Sequence, residues 1–184
     1  MCITEPGTGS DSANISTTAV ADGDEWVLNG EKIYVTDGQR SDTLVVWATL
    51  DKSLGKAAIK SFIVEKGTPG CEVIRLEHKL GIRASDTASI SFNDCRIPKA
   101  NILGSPDIAT DAEGRKKAFG GVMQTFDNTR PPVAAMAIGV SRAALDLSRA
   151  LLKEEGVELK FDKKPANLSA IEAELCQMEA EWHG

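Results

Sequence analysis

The 184-residue chain is 42% apolar and 26% charged, with a formal net charge of -6 and a pI near 5.0. That balance is globular and excludes a collagen-like, disordered or disulfide-scaffold protein. The acidity argues against a nucleic-acid surface, which needs clustered Lys and Arg, while the length admits one ordinary domain or two small ones around a substantial core.

The opening segment, MCITEPGTGSD, mixes apolar, hydroxyl, acidic and glycine positions without helical or strand period. Gly7 and Gly9 let backbone amides approach a ligand, and Thr4, Thr8 and Ser10 add hydroxyl donors. Gly7-x-Gly9 is no dinucleotide fingerprint, because the third glycine is missing, no strand precedes it and no amphipathic helix follows. Residue types alone leave a ligand loop and a turn-rich connection capped by Asp11 as equal readings.

From residue 15 to residue 92, short apolar or alternating runs are punctuated by Gly, Pro, Asn and Asp, the pattern of a strand-rich domain. Asp22-Gly23 and Asn29-Gly30 are the clearest turns. Asn29-Gly30 lies between Trp26-Val27-Leu28 and Ile33-Tyr34-Val35, which predicts a type I′ hairpin and a three-stranded meander ending at Thr36. Further strands are predicted at residues 44–48, 62–64, 73–76 and 88–92. In the last of these Ala88, Ile90 and Phe92 form a buried face, and Ser89, Ser91 and Asn93 a wet one. Seven short strands point to a small barrel or sandwich.

After Arg96-Ile97-Pro98 the texture changes to a Gly- and Asp-containing linker, residues 101–114, and then to helices. A first helix is predicted over residues 115–126, broken by Arg130-Pro131-Pro132 because proline lacks a donor and clashes with the preceding turn. The same prolines suit the first turn of a second helix capped by Asp127, Asn128 or Thr129. Val133, Ala137, Val140, Ala144, Leu147 and Leu151 share one face of it, with Gly156 as its stop. Beyond a polar loop containing Lys163-Lys164-Pro165, the residues Leu168, Ile171, Leu175, Met178 and Trp182 form an a/d stripe suited to helix packing. Such faces require more helices, from a further C-terminal region or another subunit.

Cys2, Cys71, Cys95 and Cys176 lack metal or dithiol spacing and read as free thiols. No apolar run approaches the roughly 20 residues that span a bilayer, and no basic and apolar leader follows Met1. A cytoplasmic location, or the mitochondrial matrix in a eukaryote, is expected. His78 and His183 have no acid and nucleophile in a recognisable arrangement.

MCITEPGTGSD resembles the acyl-CoA dehydrogenase signature, in which a Thr-Glu-Pro-Gly-x-Gly-Ser-Asp core lies against the flavin. Four further segments agree in order: LNGEKIYVTDG (residues 28–38), SFIVEKGTPG (61–70), GIRASDTASISFNDCRIP (81–98) and FDNTRPPVAAMAIGVSRAALD (126–146). Five collinear segments are more specific than any single motif. The resemblance implies an α+β fold: a small antiparallel β-barrel domain (residues 1–100), the linker, and helices of an incomplete four-helix bundle (115–184). It further implies that a preceding helical domain and the rest of the C-terminal domain lie outside this sequence.

The resemblance also implies FAD and an acyl-CoA substrate, with α,β-dehydrogenation to a trans-2-enoyl-CoA and an electron-transfer flavoprotein or similar acceptor as partner. It places Met1, Ile3 and Thr4 beside the flavin ring and Ser10 at the substrate. Tyr34, Val35 and Thr36 match the aromatic, aliphatic and threonine positions along the flavin. Asp127 and Arg130 match positions contacting the CoA portion, although a helix-end ion pair is the competing role for Arg130. Lys56 reads as a solvated surface lysine, and Asp86 as a pin for the turn into the following strand.

Two departures qualify the match. The family's catalytic glutamate falls in a segment that this sequence does not reach, and the alternative position before the arginine holds Thr129, which is no base at neutral pH. No catalytic residue is therefore assigned. Where many members carry Arg-Lys-x-Phe-Gly, this chain reads Leu152-Lys153-Glu154-Glu155-Gly156-Val157, which puts an arginine contact to a neighbouring subunit's flavin in doubt. A homo-oligomer or a partner supplying the missing segments is expected; the alternatives are a non-catalytic fragment or subunit and a related acyl-CoA oxidase.

Overall fold

The computed structural model describes residues 1–108, 120–157, 160, 162 and 164–184. The chain divides into two units, Met1–Gly121 and Val122–Gly184. In the first unit, seven strands form one sheet: β1 (Thr18–Asp22), β2 (Glu25–Thr36), β3 (Thr43–Thr49), β4 (Ile59–Glu65), β5 (Cys71–Leu76), β6 (Thr87–Pro98) and β7 (Ile102–Leu103). Their order is β5-β6-β2-β1-β3-β4-β7. All neighbours are antiparallel except β1 and β3, which meet in parallel at Thr18 and Thr49. The ladder ends at β5 and β7, so the expected barrel is an open sheet curled over its core. The Trp26 and Phe62 rings touch edge to face at 5.4 Å although β2 and β4 are separated by two strands in the sheet. Leu28, Val46, Phe62, Val64, Ala88 and Ile90 are fully enclosed between its limbs.

Asp22-Gly23 is the hairpin turn between β1 and β2, with Gly23 at φ 59. Asn29-Gly30 is not a turn, and β2 runs straight through it. The register against β6 shifts between Leu28 and Gly30, a bulge at a glycine with φ 148. Two tertiary contacts override the local turn preference. The Asn29 amide bonds Asp94 in both directions, at 3.2 Å to its carboxylate and 2.8 Å from its backbone N–H. A Cβ on Gly30 would stand 2.7 Å from the Thr17 Cα, so only glycine lets the two chains pass. The expected wet face of β6 also needs correction at Ser89, which is enclosed under Arg75 and Glu77 and donates to Glu77 at 3.2 Å.

Apart from the first two residues of α1, the second unit contains α1 (Gly120–Glu154) and α2 (Ala170–His183). Of the first predicted helix, residues 115–119 lie outside the described residues, as do residues 109–114 of the linker; Ile102–Leu103 of that linker is strand β7. The predicted break does not occur, and α1 continues through Pro131 and Pro132. The turn they weaken is exposed, so the carbonyls that lose donors can face water. Thr129, proposed as a cap, instead donates back to the carbonyls of Thr125 (2.9 Å) and Phe126 (3.3 Å). Gly156 stops α1 at φ 77, and its amide returns to Lys153. A capping box between Ser169 and Glu172 starts α2.

The predicted stripe of α1 does not form the helix seam, whereas α2 meets α1 through Leu175 and Trp182 of its own predicted stripe. Val133, Val140, Leu147 and Leu151 are exposed on α1, and Ile171 and Met178 on α2. The shared seam is rotated onto Arg142, Leu145 and Arg149 against Leu175, Glu179 and Trp182. Arg149 pairs with Glu179, Arg142 lies 5.1 Å over the Trp182 ring, and the Trp182 indole donates to the Ile138 carbonyl at 3.0 Å. Two helices share only one seam, and this one joins apolar stems to paired charges.

Candidate functional site

Beyond Thr18, where β1 begins, the N-terminal segment takes the place of β1 between β3 and β2. Cys2 donates to Val45 at 2.8 Å and accepts from Trp47 at 3.0 Å, while Thr4 accepts from Ile33 at 2.8 Å. Pro6-Gly7 then turns the chain, closed by reciprocal bonds between Glu5 and Thr8 of 3.0 and 3.1 Å. Ile3 and Thr4 are thereby held alongside residues 32–34 of β2.

Beneath this junction lies a buried ion pair. Lys32 Nζ is 2.7 Å from Glu5 Oε1 and 3.0 Å from the Ile3 carbonyl, and the two side chains are 0% and 4% exposed. Glu5 also accepts from the amides of Ser16 and Thr17 and from the Thr17 hydroxyl. Burial pushes the Glu5 carboxyl upward, but hydrogen bonds from Lys32 and Thr17 outweigh it and hold the group below its ordinary value. Burial likewise pulls the Lys32 ammonium down against the attraction of Glu5. Glu5 is thus a locked structural anion rather than an available proton acceptor.

Two residues beyond Lys32 the backbone distorts. Tyr34 has φ 57, the register against β6 shifts between Lys32 and Val35, and the tyrosine is 61% exposed. A non-glycine residue in this region costs on the order of 1–3 kcal/mol and is retained where the surroundings enforce it. Thr36 is exposed, whereas the Val35 side chain belongs to the core, so Val35 can offer a ligand only its backbone. Asp86 fastens the turn after β2: its carbonyl accepts from Asp37 at 3.0 Å, its carboxylate from Gln39 at 3.1 Å, and Arg40 is 3.4 Å away. The sequence position of Asp86 predicts a pin for the turn into the strand that follows it; the turn it holds is instead the one after β2, at residues 37–40.

The first unit therefore brings Ile3 and Thr4 alongside the stretch of β2 that carries Tyr34, Val35 and Thr36, with half-exposed Met1 at the start of the N-terminal segment and Ile3 itself buried. Ser10 is exposed beyond the Pro6-Gly7 turn. Asp127 and Arg130 belong to the second unit, where they form an exposed i,i+3 pair at 3.7 Å with the guanidinium 5.3 Å over the Phe126 ring. The competing role expected for Arg130 is an ion pair at a helix end; the pair forms, but inside α1, because the helix runs on through Pro131 and Pro132.

Lys32 and Trp47 escaped the sequence reading. Lys32 shares the strand parity of Trp26 and Leu28, and a lysine at a core-facing position signals a buried acid elsewhere. Trp47 is 8% exposed, and its indole N–H meets no acceptor among the described residues. A groove of about 540 Å³ is lined by residues of the helical unit, including Ala137, Ala144, Met178 and Trp182, and contains none of the predicted site residues. Its small and apolar lining is that of a packing surface. Among the described residues no His, Cys, Asp and Glu cluster suits a metal, and no helix is long and apolar enough to cross a membrane.

Residues 1–95 match the acyl-CoA dehydrogenase middle domain and residues 119–184 the acyl-CoA dehydrogenase C-terminal domain. Acryloyl-CoA reductase (NADH) of Anaerotignum propionicum is 39% identical over 180 residues, covering 97% of this chain and 43% of the relative. The mitochondrial short-chain specific acyl-CoA dehydrogenase of Bos taurus is 39% identical over 178 residues, 97% of this chain and 40% of its own length. Butyryl-CoA dehydrogenase from Megasphaera elsdenii superposes with a TM-score of 0.81 at 34% identity, covering 99% of this chain and 45% of the solved one. The chain therefore spans less than half the length of these relatives.

Proposed function

Because the chain belongs to the acyl-CoA dehydrogenase family, we propose that its first unit carries the flavin- and substrate-facing surface of an FAD-dependent enzyme converting an acyl-CoA to a trans-2-enoyl-CoA. The observation carrying this reading is the exposed Tyr34, held at a strained bulge of β2 next to Ile33, whose amide binds the Thr4 carbonyl, and two residues before exposed Thr36. A flat aromatic face flanked by hydroxyl and backbone donors suits a heteroaromatic ring with a polar edge. The buried, unpaired Trp47 indole, on the strand that binds Cys2, supplies a further donor suited to a ligand acceptor. The residues present thus fit the cofactor.

In this reading Tyr34 stacks on the ring, while Thr4 and Thr36 donate to its polar edge. Met1 and Ile3 supply apolar contact, Val35 its backbone, and Ser10 a contact to substrate. Bound there, FAD would accept the hydride from the substrate's β-carbon. Arg130 offers fixed positive charge to the anionic CoA portion, with Asp127 orienting it. No described residue is assigned as proton acceptor: Glu5 is locked by Lys32, and the Thr129 hydroxyl is spent on its own helix. Residues 1–100 serve as the middle β domain, 101–114 as linker and 115–184 as the start of the helical domain. The partners are an electron-transfer flavoprotein or similar acceptor and further copies of the chain, in a cytoplasmic or matrix location.

The names of the relatives carry both directions, reductase and dehydrogenase, so FAD binding is the decisive first measurement. Titration with FAD is expected to quench flavin fluorescence and shift the visible band, and in the chain extended at both ends to the length of its relatives, which would supply a base, acyl-CoAs of graded length should bleach it. Tyr34→Ala is expected to weaken FAD binding by up to about tenfold, the weight of one aromatic contact. No flavin retention and no bleaching by any thioester would overturn the reading.

A further inference from the structure

We propose that the buried Glu5–Lys32 pair is the positioning element of this site, fixing Ile3–Thr4 against Lys32–Tyr34 so that Thr4 and Tyr34 meet a ligand as one rigid frame. The inference rests on the reading that both residues face the same ligand.

The pair sits at the crossing of the two segments. Lys32 Nζ bonds Glu5 at 2.7 Å and the Ile3 carbonyl at 3.0 Å, reaching both sides of the Ile3–Thr4 dipeptide. One residue further along β2, the Ile33 amide donates to Thr4 at 2.8 Å. Both Glu5 oxygens are occupied: Oε1 by Lys32 and by the Thr17 amide and hydroxyl, Oε2 by the Ser16 amide. Three separate stretches of backbone, residues 3–5, 16–17 and 32–33, are thereby tied to one carboxylate–ammonium centre.

The position of the pair along β2 matters as much as its contacts. The register shift begins at Lys32 and ends at Val35, enclosing the positive-φ Tyr34. Strain of this kind persists only where both flanks are held. The ion pair holds the N-terminal flank, and the Asp86 bonds to the turn at residues 37–40 hold the other. Fully buried charges are a poor way to gain stability, since apolar residues of equal volume often serve as well; their directional bonds instead select one geometry. Neither side chain is exposed to a ligand, so the pair acts through Thr4 and Tyr34 as a positioning device.

The test compares Glu5→Asp, which keeps the charge but shortens its reach, with Phe62→Leu, a core change remote from the pair and chosen for a similar loss in Tm. Amide exchange at Ile33 and FAD affinity are measured on the full chain, well below each Tm. Glu5→Asp should lose Ile33 protection and FAD affinity by tenfold or more, with Phe62→Leu retaining both. Lys32→Arg, keeping charge with a bulkier head, is expected to match Glu5→Asp and serves if that variant does not fold. Equal Ile33 protection in the pair and core variants overturns the proposal. If the parent chain takes up no FAD, the functional reading fails, while Ile33 exchange still decides whether the pair positions the frame.

Discussion

The two units use apolar residues of similar kinds to different effect. In the β unit, Leu28, Val46, Phe62 and Ile90 are wholly enclosed, because a curled sheet supplies neighbours from its own other limb. In the helical unit Leu145 and Leu175 are the enclosed large apolar side chains among the described residues, while Val133, Val140 and Leu147 stand in the open. Periodicity thus identifies residues suited to burial, but connectivity decides which are buried. A sheet can close on itself, whereas a helix pair offers one contact line and leaves its other apolar stripes unmet.

The sharpest way to break this comparison is to attack the β unit through its charges. Glu5→Gln strands the Lys32 ammonium in the core and is expected to cost about 3–5 kcal/mol, measured by denaturant melting. The effect has a definite pH sign. Since the folded Glu5 value lies below the ordinary one of about 4.3, its stabilisation is present above that value and disappears as pH falls through the folded value. The difference between parent and Glu5→Gln should therefore narrow on acidification, and a gap that widens would contradict the assignment.

Next in size, Phe62→Ala should cost about 3–5 kcal/mol and Leu147→Ala less than about 0.5 kcal/mol. Comparable losses at both positions would show Leu147 to be covered in solution. Between those extremes, Pro131→Ala restores a helix donor and removes a ring clash, so amide protection along α1 should rise by up to about 3 kcal/mol. No gain would mean that the helix is already fully supported there. A small effect is also expected at the seam: Glu179→Gln should cost under about 1 kcal/mol, less in high salt, because Arg149 and Glu179 are each about a quarter exposed.

Much of the β unit was legible because period-2 alternation directly reports a one-sided core, as at Ala88, Ile90 and Phe92. The signature segments located Thr4 and Tyr34, and the structure holds the two segments side by side. Asn29-Gly30 misled because its turn preference is local, whereas the contacts that straighten it, Thr17 and Asp94, are distant in sequence. Lys32 was unreadable as a site element for the same reason, its partner lying 27 positions earlier. The rotated helix seam illustrates a different limit: several faces of α1 carry apolar residues, and paired charges at Arg149 and Glu179 favoured one that hydrophobicity alone ranks lower.

Pro131 and Pro132 have a kinetic consequence. Neither can donate to the carbonyl four residues back, so Asp127 and Asn128 lack their regular helical donors. The 35 residues of α1 consequently need not open as one cooperative rod. Opening is eased at an internal turn as well as at the ends, and that turn carries Asp127 and Arg130. The pair proposed to meet an anionic ligand thus sits at an internal turn short of two helical bonds, and a ligand gripping it should slow the exchange of amides on both sides.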